Sequence, residues 1–143
     1  MTAKRVVKSL KEIRKYELLN TRVCDLPHKI EGTLRDCILA HYRELDARKI
    51  RFRPRFYLGA DIEDGWGCVD GTICIEVPFY LGNPELTALH REYYAEVEGE
   101  EEIMKILRHE TGHAVNYAYR LHEREDWRGI FGDFSKRYPK RYR

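Results

Sequence analysis

Three observations predict an α+β domain. Apolar residues recur at helical spacing in four stretches, a β-rich stretch with turn punctuation lies between residues 53 and 77, and the last helical stretch carries His109-Glu110-Thr111-Gly112-His113. The expected architecture is a set of helices packed on a small antiparallel sheet, with this H-E-x-x-H motif on a central helix. At 143 residues the chain makes one domain, residues 1–143, with room for one core and not two.

In chain order, Lys4 to Leu19 carries Val6, Val7, Leu10, Ile13, Leu18 and Leu19 among many Lys and Arg, which predicts a peripheral N-terminal helix within residues 1–20. Asn20 to Pro27 is a connector, with a short strand expected at Arg22 to Cys24. A second helix begins at Lys29 or Thr33 and runs to Arg48, burying Leu34, Cys37, Ile38, His41, Tyr42 and Leu45. His41 falls on that stripe and reads as a core histidine rather than a ligand. Strands are expected at Arg53 to Leu58, Gly67 to Asp70 and Thr72 to Val77. Asp64-Gly65-Trp66-Gly67 forms a turn before the second of these, and Asp70-Gly71 a hairpin turn after it. Pro78 cannot donate to a ladder, so the last strand ends there or lies at an edge. Leu81-Gly82-Asn83 leads into a third helix, Pro84 to Glu96, and Gly99 separates it from the motif helix.

That helix opens on Glu100-Glu101-Glu102 and closes near Arg120, charges that match the helix macrodipole. Ile103, Ile106, Leu107, Ala114, Tyr117, Ala118 and Leu121 supply its apolar stripe. His122 and Glu123 are expected to continue it. The segment from Trp127 to Arg143 is a basic, aromatic tail.

Composition excludes several classes. No apolar run is long enough to span a membrane, and the first twenty residues are basic and amphipathic, unlike a secretory signal. Charged residues make up 35% of the chain, so the surface is strongly ionic, yet the net charge of +2 is by itself too small to argue for a nucleic-acid partner. The run from Lys136 to Arg143 interleaves basic residues with tyrosines, as single-strand binders do, but it is short and terminal. Cys24, Cys37, Cys68 and Cys74 form no C-x-x-C pair and read as small core residues in a reducing, cytoplasmic setting.

The chemistry lies in the motif. Four-residue spacing sets His109 and His113 one turn apart on one helix face, where both imidazoles can bind one tetrahedral zinc and leave positions for a water and a third protein ligand. Glu110 sits about 100° further round, where its carboxylate can act as a base rather than a ligand. Gly112 is costly inside a helix and suggests close approach of another backbone. For the third ligand the residues after the motif offer His122, Glu123, Glu125, Asp126 and Asp133. Asp133, where the chain can turn back at Gly129 or Gly132, is the preferred candidate. Its more ordinary reading is a turn or cap residue beside Gly132, and a ligand beyond residue 143 is the other alternative.

Several further segments carry a resemblance: Cys24-Asp25-Leu26, Ile30-Glu31-Gly32-Thr33, Arg51-Phe52-Arg53-Pro54, Pro78-Phe79-Tyr80-Leu81, Glu96-Val97-Glu98-Gly99, Leu107-Arg108-His109-Glu110, Ala118-Tyr119-Arg120-Leu121 and Phe131-Gly132-Asp133-Phe134-Ser135. Together they resemble a bacterial family of zinc-binding metallopeptidases, and more broadly the zincins, in which a small sheet lies above the metal helix. The resemblance implies a zincin-like fold, one zinc ion on His109 and His113, Glu110 as general base, and a peptide or protein substrate. Related sequences run on past the Tyr-Pro-rich segment to a distal acidic motif that supplies the third ligand, and nothing in this chain matches it. The chain is therefore expected to be a fragment, or a short member that fills the position with Asp133, water or a partner chain.

The expected function is zinc-dependent peptide hydrolysis, with substrate held by β-augmentation on Thr72–Val77 if the outer edge of that strand is free. Tyr117 is a candidate to stabilise the oxyanion, with core packing as its alternative reading. The competing class is a non-catalytic zinc-binding regulatory or interaction module with an incomplete metal site. Chelation would lower the melting temperature of such a module, and no peptide would be cut.

Overall fold

The computed structural model describes residues 3–60, 65–94 and 96–136. Asp64 of the expected turn and the basic run 137–143 lie outside them, as do the side chains of Val6, Val7 and Leu10. The described helices are α1 (Ala3–Leu19), α2 (Gly32–Ala47), α3 (Pro84–Tyr94), α4 (Glu100–Tyr119) and α5 (Glu125–Phe131); the strands are β1 (Arg55–Gly59), β2 (Gly67–Cys68) and β3 (Cys74–Pro78). The α+β class holds, and no described helix is long and apolar enough to cross a membrane.

The sheet corrects one expectation. Its order is β1-β3-β2, with β1 parallel to β3 and β2 antiparallel to it, so it is mixed rather than antiparallel. The Asp70-Gly71 turn is present, with Gly71 at φ 70° and the Thr72 amide bonded to the Val69 carbonyl at 3.0 Å. The strand after this turn, β3, takes the central position because it carries Ile75 and Val77, both fully buried. A strand with that much apolar surface is most stable between two neighbours. Among the described residues β3 lies between β1 and β2, so the edge of Thr72–Val77 expected to take a substrate by β-augmentation is already occupied at Ile75 and Glu76. Pro78 closes the strand, as its missing N–H requires.

The main core joins three elements: Leu34, Cys37 and Ile38 of α2, Val77 of β3, and Ile103 and Leu107 of α4. Four of the five buried residues of α4, Ile103, Leu107, Thr111 and Ala114, fall within roughly 40° of Leu107 at 100° per residue, and Asn116 is the exception. His109 and His113 are carried round to the opposite side. Core packing of α4 thus aims the motif outward. His41 is 2% exposed and its Nε2 lies 2.8 Å from Thr111 Oγ1, inside the motif, so it is a core histidine as its position on the stripe predicts. A second cluster, Leu18, Leu26 and Leu86, fastens the end of α1 to α3, where Arg14 also meets Glu85 at 2.9 Å.

Three local readings change. Residues Val23–Asp25 form a 3-10 turn, not a strand. Of the cysteines only Cys37 is buried; Cys24 is exposed, Cys68 and Cys74 are half-buried, and all four are free. His122 and Glu123 do not continue α4. Arg120 turns left-handed at φ 50°, ψ 42°, and a 3-10 turn Leu121–Glu123 follows. The cause is Asn116, whose Oδ1 accepts the His122 amide at 2.9 Å and so draws the next turn off the helix axis.

Candidate metal centre

One open cavity of about 1210 Å³ lies where α4, the β2–β3 hairpin and the C-terminal segment meet. His109, Glu110, Gly112, His113, Asn116 and Tyr117 of α4 line it, with Cys68 and Asp70 from the hairpin. His109 Nε2 and His113 Nε2 are 3.2 Å apart. Two nitrogens on one tetrahedral zinc at about 2.0–2.1 Å would be separated by about 3.3 Å, so the pair fits one metal ion without rearrangement. The rings stand at 77° to one another with centroids 4.9 Å apart.

Glu110 is built for a different role. Its Oε2 accepts the Cys68 backbone N–H at 2.8 Å, while Oε1 lies 4.0 Å from His109 Nε2. One oxygen is thus pinned by the edge strand and the other stands beside the imidazoles. The side chain is only 13% exposed, against 69% for His109. A second bond holds the same hairpin: Tyr117 donates its hydroxyl to Asp70 Oδ1 at 2.9 Å. Tyr117 is neither core packing nor a free oxyanion donor in this arrangement. Burial, with the charges of Glu110 and Asp70 adding to it, pushes the Cys68 thiol up to about 11.

Gly112 does not mark a close backbone approach. A Cβ placed there would meet nothing within 4 Å, and the residue lines the cavity. Trp66 also lines the cavity, its indole N–H bonded to Glu98 Oε1 at 3.0 Å; the Tyr80 hydroxyl meets the same carboxylate at 2.9 Å. Burial and that carboxylate both raise the Tyr80 phenol.

Asp133 also lines the cavity, yet its Oδ1 accepts the Ser135 amide at 2.9 Å and the Ser135 hydroxyl at 2.8 Å. Those bonds hold its carboxyl below the usual range. It serves as the cap that its place beside Gly132 allows. Among the described residues no three of His, Cys, Asp and Glu are grouped to hold a metal. Asp126 is engaged by Arg124 at 2.7 Å.

Residue patterns missed two parts of the site. The Cys68 amide is invisible to side-chain motifs, though a short strand beside the motif helix is its signal. Trp127, Phe131 and Phe134 form a cavity wall that stood in the sequence only as an aromatic tail. The chain matches no family model, no curated protein and no solved structure.

Proposed function

We propose that this chain is a zincin-like metallopeptidase, hydrolysing peptide bonds at a single zinc held by His109 and His113. The observation that carries the reading is the convergence of the two Nε2 atoms at 3.2 Å beside a carboxylate that the edge strand holds out of the ligand position. Zinc bound there would polarise a water molecule and the scissile carbonyl. Glu110 Oε1 takes the water proton and returns it to the leaving amine, a role typically worth about 10²–10⁴-fold. The Cys68 amide keeps Oε2 in place throughout, so the base does not swing onto the metal. Asp70 and Tyr117 hold the hairpin over α4, which fixes the distance between that amide and the imidazoles.

A second reading is favoured by the lack of a third ligand among the described residues: a zinc-binding module without catalysis. Glu110→Gln separates the two. The variant keeps one hydrogen-bond acceptor for the Cys68 amide and leaves both imidazoles in place. Zinc retention equal to that of the parent with at least about 100-fold slower cleavage of a fluorogenic peptide library supports the peptidase. Equal cleavage by parent and variant would remove Glu110 from the mechanism, and no cleavage by the zinc-loaded parent would favour the module.

A further inference from the structure

The C-terminal segment brings Trp127, Phe131 and Phe134 to the cavity as a group of three rings beside Asp133 and Lys136, while α4 and the hairpin region bring mainly polar groups together with Trp66 and Tyr117. The wall is assembled rather than incidental. Trp127 packs on Phe131 at 4.9 Å between centroids and on Phe134 at 6.1 Å. Phe134 in turn meets Tyr117 edge-on at 6.0 Å and stacks on His122 at 4.5 Å, which ties the wall to α4 and the turn behind it. Despite this packing, Phe131 remains 67% exposed and Phe134 44% exposed. Exposed rings on the wall of a large cavity offer apolar area that a ligand can cover.

We propose that Trp127, Phe131 and Phe134 form the subsite for an apolar side chain, of Phe or Leu type, next to the peptide bond that lies at the imidazole pair. This rests on the peptidase reading, which puts an extended peptide in the cavity. The occupant follows from continuity. The wall and the His109–His113 pair share one space, so a chain whose carbonyl meets the pair presents a neighbouring side chain to the rings. Asp133 and Lys136 line this side too, with Asp133 Oδ1 engaged by Ser135, and the three rings are its apolar surface.

Both tryptophans of the chain, Trp66 and Trp127, line the cavity, so intrinsic fluorescence reports occupancy directly. The probes are acetylated, amidated alanine pentapeptides with Phe, Ala or Asp at the centre, titrated into the full chain with and without zinc. The Phe peptide is expected to bind about tenfold or more tighter than the other two. Phe131→Ala and Phe134→Ala should each erode that ratio, and Phe131→Leu should retain it, with circular dichroism melts showing that each variant folds. Equal affinity for the three peptides, or a ratio unchanged in both alanine variants, overturns the subsite. So does a dimer in sedimentation that Phe131→Ala dissolves, because a second copy would then cover the wall. Selective binding without cleavage by the zinc-loaded chain supports the subsite and rejects the peptidase; cleavage without selectivity rejects the subsite alone.

Discussion

His109 and His113 are legible in sequence as a pair because helical spacing alone sets them on one face, and α4 needs only its own core residues to aim them outward. Gly112 is less transparent. Its cost in a helix is a property of the backbone, while the open space that a Cβ would meet there is something no pattern of neighbours reveals. Gly112→Ala is accordingly expected to stabilise the fold by up to about 1 kcal/mol, since a methyl group there meets no atom within 4 Å. A urea unfolding midpoint that rises without a change in slope would bear this out. A fall would mean that the position is tighter than its surroundings indicate. Asp133 illustrates the opposite ambiguity. A carboxylate beside Gly132 suits a cap as well as a ligand in sequence, and the Ser135 bonds show Oδ1 in the cap role.

Among the elements, α2 and α4 form the frame that carries the motif. The contact is partly polar: His41 meets Thr111, and Glu44 pairs with Arg108 at 2.6 Å and 2.9 Å. Burial holds the His41 imidazole below its ordinary value; the Glu44 carboxylate opposes this in part, while Arg108 and Arg53 reinforce it. The folded protein therefore keeps His41 neutral where the unfolded chain begins to protonate, below about pH 6.5. Below that value the unfolded state binds more protons, so this contribution to stability is complete above it and declines as pH falls. Glu44, held below the usual carboxylate range chiefly by Arg108, adds a loss of the same sign at lower pH. Urea midpoints at pH 7.5 and 5.5 should thus differ, and His41→Gln should shrink that difference while lowering both values. A pH dependence identical in parent and variant would remove His41 as its source. Helices α1 to α4 are readable to within a few residues because each carries an apolar stripe, whereas α5, which buries no residue, stood in the sequence only as part of the aromatic tail. The sheet is not readable in this way, because hairpin punctuation specifies which strands are neighbours in sequence and says nothing of β1 reaching past β2 to pair with β3.

At the scale of the molecule, the site is a meeting of three parts distant in sequence: the β2–β3 hairpin, the motif helix and the segment from Trp127 onward. Motifs disclose the middle part alone. The hairpin contributes an amide and the C-terminal segment contributes rings, and both depend on where the chain returns after Arg120. That return is set by Asn116 and a left-handed residue, features with no periodic signature. Every functional role assigned to these parts depends on the imidazole pair holding zinc in a folded chain. The decisive measurement is zinc content by elemental analysis after dialysis against a weak chelator, on the parent and on His109→Ala. About one zinc per folded parent chain, lost in the variant, is the predicted result. A folded parent that retains none, or a variant that retains as much as the parent, would contradict it.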